Sequence, residues 1–310
     1  MLPIVLIAVL LFEVTVCAAV GFRLFGDDVM LRLGELSVCI MIYLLAVRLA
    51  FVLASFAFAG FKNQHRAAQS LGAWVRTMGL EYLATLFAFS LLIPLSFLFA
   101  PRLRRFSKQS EPGQPVVLLV HGLLSNQGVW WWFARRLKRR GAWVDSLDLK
   151  PMFGDIDDYV VQLKRHIDAL SLRVDALHIS VGPIILVGHS MGGLVCRAYL
   201  ARFGASVGDR RISKLVTLGA PHRGSLSAYF LPGKNLRQMR PECAWLSALP
   251  GTSPIATTAI YSQHDNLVVP YELGRTEVGG IVCEELRGLG HLSLLFDRSV
   301  QDRVQHIIDK

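Results

Sequence analysis

The chain has 310 residues and a formal net charge of +10 at pH 7, with a pI near 9.7. The length suits one full catalytic domain plus a smaller unit. The charge would suit a nucleic-acid partner, but its placement argues against one: the basic residues cluster at Arg102, Arg104, Arg105 and Lys108, and on a predicted helix at Arg135, Arg136, Lys138, Arg139 and Arg140. Neither cluster carries the interleaved aromatics of a nucleic-acid surface. Positive charge beside apolar segments instead suits anionic lipid headgroups.

Mean hydropathy is +0.43, and the apolar excess lies in the first third of the chain. Three stretches there, 2–22, 36–61 and 80–100, are each long enough for a bilayer core of about 20 residues. Glu13 interrupts the first, Arg48 the second, and Glu81 stands at the start of the third. A cleaved leader would need a basic segment ahead of the first stretch, and none is present. Two further spans follow it, so residues 1–106 are expected to form a retained anchor of three transmembrane helices, partnered by lipid bilayer. Glu13 and Arg48 either face each other across a helix pair or snorkel to an interface.

Arg23, Arg32, Arg102, Arg104, Arg105 and Lys108 would share one side of the membrane, and Lys62, Arg66 and Arg76 the other. This bias weakly favours a cytoplasmic C-terminal domain. Of the five cysteines, Cys17 and Cys39 read as packing residues. Cys196 is expected to be buried. Cys243 and Cys283 are candidates for one disulfide, which would argue for the oxidising side, so the side stays open. No C-x-x-C spacing appears and no metal is expected.

The polar, proline-containing stretch 107–115 reads as a linker. From 116 to 310, short β-rich runs (116–120, 143–149, 184–187, 215–218, 257–261, 281–286) alternate with helical patterns (129–140, 157–177, 191–203, 292–308). That alternation predicts an α/β domain with a mostly parallel sheet covered on both faces.

Gly188-His189-Ser190-Met191-Gly192 lies between a buried strand and a helix. Such a G-x-S-x-G turn exposes the serine oxygen above the sheet, at a helix N-terminus whose dipole favours developing negative charge. Ser190 is the expected nucleophile, with Gly188 and Gly192 making room for the turn. His121-Gly122-Leu123-Leu124 follows the first strand and is expected to supply an oxyanion donor, the amide of Leu123, opposite the amide of Met191. Gly122 would permit close approach, and His121 would order the loop. The base must follow the nucleophile in the chain. His291, between the last strand and the last helix, suits this better than His306 inside that helix. Asp265, in a strand-end loop between Ser190 and His291, is the expected partner of the imidazole.

These motifs, with Thr217-Leu218-Gly219-Ala220-Pro221-His222-Arg223-Gly224-Ser225, resemble the bacterial lipase/esterase branch of the α/β-hydrolase superfamily over residues 115–310. The resemblance implies an α/β-hydrolase fold, a Ser-His-Asp triad acting through an acyl-enzyme on an ester or lipid substrate, no cofactor, and a cap or lid over 222–254. Residues 1–100 do not resemble the secreted lipases, which carry a signal peptide instead, and the expected location is integral to a membrane, the bacterial inner membrane foremost. Trp130, Trp131 and Trp132 are candidates for a membrane interface, an acyl pocket or the core. A thioesterase or amidase, and a non-catalytic membrane scaffold of the same fold, are the alternatives.

Overall fold

The structure, a computed structural model, describes residues 29–63, 68–100, 113–176, 181–208 and 210–310, the side chains of 29–37 and 210 excepted. The 2–22 stretch with Glu13 and Cys17, the clusters at 102–108, and Arg66 lie outside the described residues.

A seven-stranded sheet organises the C-terminal part: β1 (Val116–Val120), β2 (Trp143–Leu147), β3 (Ile184–His189), β4 (Ser206–Val207), β5 (Arg210–Leu218), β6 (Thr252–Ser262) and β7 (Gly279–Leu286). The order is β2-β1-β3-β5-β6-β7 with every one of those neighbours parallel, while β4 pairs antiparallel with β5. In β1 all five residues are buried, as a parallel strand covered on both faces requires. Leu118 and Val120 point into one core layer, Val117 and Leu119 into the other.

The two N-terminal helices described are α1 (Val29–Lys62) and α2 (Leu71–Phe87); α2 continues through a π turn at Ala88–Leu92. Four longer helices follow: α3 (Trp131–Arg139), α4 (Ile156–Ala176), α5 (Met191–Phe203) and α6 (Arg298–Asp309). Helices α4 and α5 close one layer, where Tyr159, Leu163, Leu194 and Tyr199 meet Leu118 and Leu186. The other layer takes Phe133 and Leu137 of α3 and Val300 and Val304 of α6.

From residue 116 on, each expected strand forms, β2 ending at Leu147 rather than at Leu149, and each expected helical pattern is helical. The strands β5 and β6 begin several residues earlier than their apolar runs, because Arg211 and Thr252 extend beyond the buried part of the sheet. The helical pattern at 292–308 is two helices, Ser293–Phe296 and α6, divided at Asp297, whose Oδ1 accepts the Ser299 and Val300 amides and caps α6.

Among the described residues, Val38–Lys62 and Leu71–Leu92 are long and apolar enough to cross a membrane by length and composition. Little of the first is buried, chiefly Val52, Phe56 and Ala59. The second is partly covered by the sheet domain, and the apolar stretch at 80–100 is one with three backbone conformations: α2, the π turn, and a short helix at Ser96–Phe99. Ala88 and Ile93 pack into the same layer as Val117 and Val187. The segment after α2 and the sheet therefore share a core, while Val52 and Phe56 of α1 cluster separately with Met78 of α2.

Cys243 and Cys283 are free thiols, against the disulfide considered for them. Each thiol has its own backbone acceptor, Gln238 O for Cys243 and Thr276 O for Cys283. Cys196 is buried as expected. Of the three tryptophans, Trp130 is fully buried in the core and Trp132 is 41% exposed.

Candidate active site

Ser190 lies where β3 turns into α5, at φ 55° and ψ −127°. A non-glycine residue in that region is strained, and such strain persists only where the surroundings over-determine it. The surrounding glycines explain how. A Cβ at Gly188 would stand 2.6 Å from the Gly193 nitrogen, and one at Gly192 would stand 2.2 Å from the Val120 oxygen. The turn is packed too closely for any side chain at either place. Gly122 meets the serine itself: a Cβ there would be 2.8 Å from Ser190 Cβ.

The His291 ring is 4% exposed. Its Nδ1–H donates to Asp265, at 2.8 Å from Oδ2 and 3.1 Å from Oδ1. Asp265 Oδ1 also accepts the amides of Leu267 and Val268, both at 2.8 Å. The carboxylate is thereby fixed in the loop after β6, and the imidazole is left with Nε2 to act. Burial pulls the His291 pKa down, but the charge and hydrogen bond of Asp265 and the charge of Glu81 outweigh it. The net position is above the ordinary value.

Ser190, His291 and Leu123 line one cavity of about 440 Å3. The Ser190 hydroxyl has no hydrogen-bond partner among the described residues, which leaves it open to the cavity. Among the described residues, the amides of Leu123 and Met191 likewise have no backbone acceptor. Met191 opens α5, where the first amides have no acceptor within the helix. The arrangement holds a hydroxyl, an imidazole oriented by a carboxylate, and two unused amides, which is what acyl transfer needs.

Most of the remaining cavity wall is apolar, with Ser55, Ser125, Ser225, Ser227 and Asn266 among the polar exceptions, and three parts of the chain supply much of it. Phe51, Ala54 and Phe58 belong to α1, Phe89 and Ile93 to the segment after α2, and Ala228, Phe230 and Leu231 to the region read as a cap. The Phe58 and Phe230 rings meet edge-on at 4.9 Å. None of the three tryptophans lines the cavity.

His121 orders its loop as expected. Its Nε2 accepts the Leu149 amide at 3.0 Å, so Nδ1 carries the hydrogen and donates to Gly122 O at 2.8 Å. Burial holds this ring below its ordinary pKa. His189 is held well below its own by burial, with the neighbouring His291 adding to the effect; its Nε2–H donates to the His291 carbonyl at 3.1 Å.

Several participants carry no sequence signal of their own. Gly219 sits at φ 55°, where a Cβ would come within 3.2 Å of Asp265 Oδ2 and 3.3 Å of His291 Nδ1. Asn266 Oδ1 accepts the His291 amide at 2.9 Å. His222, named only as part of a motif, bonds Thr217 Oγ1 at 2.8 Å.

Residues 115–247 match the profile of a family described as having the alpha/beta hydrolase fold. Among solved structures, the mature Bacillus licheniformis lipase BlEst2 aligns with a TM-score of 0.55 at 15% identity, covering 66% of this chain and 96% of that one. Aspergillus fumigatus lipase B aligns with a TM-score of 0.58 at 14% identity, covering 96% of this chain and 85% of that one. No curated protein sequence matches the chain. The parallel sheet, the serine turn between β3 and α5, and these likenesses define an α/β-hydrolase fold.

Proposed function

We propose that this chain is a serine hydrolase that cleaves carboxylic esters, acyl lipids foremost, while held at a membrane by its N-terminal helices. One observation carries the reading: Ser190, on a strained turn, shares an apolar cavity with a histidine fixed by a buried aspartate. Ser190 attacks the ester carbonyl as His291 takes its proton. Asp265 holds the imidazole and stabilises its charged form. The Leu123 and Met191 amides receive the oxyanion, the alcohol leaves with the proton from His291, and water then releases the acyl group through the same groups.

The membrane part of the reading rests on α1. The stretch Val38–Lys62 has 25 residues, about 37 Å of helix against a hydrocarbon core of about 30 Å. Its surface presents Met41 at 55% and Ile42 at 57% exposure, with Leu49, Phe51 and Leu53 beyond them. A continuous apolar face of this kind calls for a lipid or protein cover. Phe51 belongs both to that face and to the cavity wall, which supports lipid reaching Ser190 from the bilayer side.

The test is hydrolysis of short- and long-chain p-nitrophenyl esters by detergent-solubilised protein, with Ser190→Ala alongside. Turnover that Ser190→Ala reduces by several orders of magnitude, with long chains preferred, supports the proposal. Turnover of thioesters or amides but not esters overturns the ester assignment. No labelling of Ser190 by a fluorophosphonate overturns the serine mechanism.

A further inference from the structure

Glu81 stands in an apolar stretch of α2, about halfway along the helix, yet it is 1% exposed. Both carboxylate oxygens are engaged. Oε1 accepts the Leu292 amide at 2.9 Å and Oε2 accepts the Ser293 amide at 2.8 Å. These are the two residues directly after His291. The approach is close enough to exclude a side chain at Gly290, where a Cβ would lie 2.5 Å from Glu81 Oε2. A buried carboxylate is costly unless its oxygens are matched by donors, and here the donors belong to the loop that carries the proposed base. Burial works against the charged carboxylate, and two accepted N–H bonds, one on each oxygen, together with the charge His291 gains on protonation, work for it.

We infer that Glu81 is a positioning residue for His291: it fixes the backbone after the histidine and sets a second negative charge behind the imidazole. The inference rests on the proposed serine-hydrolase reading. It goes further by making α2, which lies outside the family-matched segment 115–247, part of the machinery.

The geometry assigns the labour between two carboxylates. Asp265 bonds the ring nitrogen, and Glu81 holds the main chain. The titratable groups facing the His291 ring are Asp265 from the loop after β6, His189 from the end of β3 and Glu81 from α2. His189 is neutral under its burial and adds no negative charge. When His291 takes the serine proton, its positive charge is therefore balanced by Asp265 first and Glu81 second. Glutamine at this position would keep the shape and one acceptor, lose the charge, and turn an NH2 group toward one of the backbone amides.

The experiment compares wild type, Glu81→Gln and Glu81→Asp in the full-length detergent-solubilised protein. Kcat and KM for p-nitrophenyl butyrate are measured from pH 5 to 9, per active site titrated with a fluorophosphonate. The His291 ring is titrated in parallel by NMR of 13C-labelled histidine, assigned with His291→Gln. Glu81→Gln is expected to lower kcat about 10- to 100-fold with KM nearly unchanged, the scale of loss on misplacing a reacting group by about 1 Å. Its acid limb and the His291 titration should both move to lower pH, because the imidazolium loses a stabilising charge. Glu81→Asp keeps the charge and should hold the acid limb close to that of wild type.

A Glu81→Gln enzyme with wild-type kcat and an unmoved limb overturns the inference. So does a lowered melting temperature with neither kinetic change, which is what a purely structural carboxylate would give. Should Glu81→Gln fail to fold, Glu81→Asp decides: a limb displaced as far as that of an uncharged neighbour would overturn the inference. If wild type neither turns over esters nor takes the phosphonate, the hydrolase reading fails, and the NMR titration still decides whether Glu81 governs His291.

Discussion

Ser55 on α1 accepts a hydrogen bond from Asn266 Nδ2 at 2.8 Å, and the other end of the same Asn266 side chain accepts the His291 amide at 2.9 Å. One side chain thus ties an N-terminal helix to the loop bearing the proposed base. Ser55→Ala would leave the buried Asn266 amide without its acceptor, a loss of about 1–3 kcal/mol. We expect a lower melting temperature and a drop in kcat of a few-fold, read by thermal unfolding and ester hydrolysis on the same preparation. Unchanged values for both would show that the strut contributes nothing.

Gly122→Ala tests the contact between the proposed oxyanion loop and the proposed nucleophile Ser190. The new methyl group would stand 2.8 Å from Ser190 Cβ and 3.1 Å from the His189 oxygen, so the loop or the serine must shift. We expect kcat to fall about 100-fold while the circular dichroism spectrum is retained. Full activity would mean that the loop is not held against Ser190.

The pH dependence follows from the environment of His291. The proposed base would act as neutral imidazole, and its pKa lies above the ordinary value despite burial, because Asp265 and Glu81 favour the protonated ring. Activity should rise with pH through a single limb centred above about 6.5. Asp265→Asn should move that limb to lower pH and cut kcat by about 10,000-fold, the loss seen when an orienting carboxylate is neutralised. A limb unmoved in Asp265→Asn would contradict the pairing.

Stability should have an opposite partner in His222. Burial, with the Arg197 charge adding to it, pushes its pKa down to about 3. The unfolded chain therefore binds a proton that the folded chain refuses, at any pH between about 3 and the unperturbed value near 6.5. Stability contributed by neutral His222 is present above that window and is lost as pH falls through it. Melting temperature should decline from pH 7 to pH 4.5, and a His222→Gln variant should show a shallower decline. Parallel curves for the two proteins would exclude His222 as a source.

Chain-length selectivity should respond to α1. Ala54 lines the cavity from that helix, and its exposed position tolerates a larger side chain without disturbing the core. Ala54→Trp should lower kcat/KM for p-nitrophenyl palmitate about 10-fold and leave the butyrate nearly unaffected. Equal losses on both esters would place the acyl chain elsewhere.

The parallel character of the sheet and the serine turn were legible in the sequence because their signals are local, whereas the strand order was not; Asp265 and His291 were placed by chain order and strand-end position. An apolar strand, a glycine turn and a helix adjoin within about 20 residues of Ser190, and the turn cannot form with larger side chains at Gly188 or Gly192. The contributions of Ser55, Asn266 and Glu81 were not legible, since each depends on contact across more than 200 positions of chain. Glu81 did leave a trace: a carboxylate at the edge of an apolar stretch, easily read as a mere boundary of a span. Its two backbone partners, and the missing side chain at Gly290, appear only once the sheet domain is folded against α2. Length and hydropathy likewise could not separate α1, with its bare apolar surface, from the 80–100 stretch, which bends through a π turn to enter the core.

The shared core also bears on what release from the proposed membrane anchor would do. A protease cutting just after Ala100 would shed a fragment that keeps Ser190, Asp265 and His291 but leaves Ser55, Glu81 and the Phe51, Phe58 and Phe89 part of the cavity wall behind. The shed fragment would carry the reacting groups without the struts that aim them, and with the cavity open on one side. Shedding would therefore silence the hydrolase rather than release an active one.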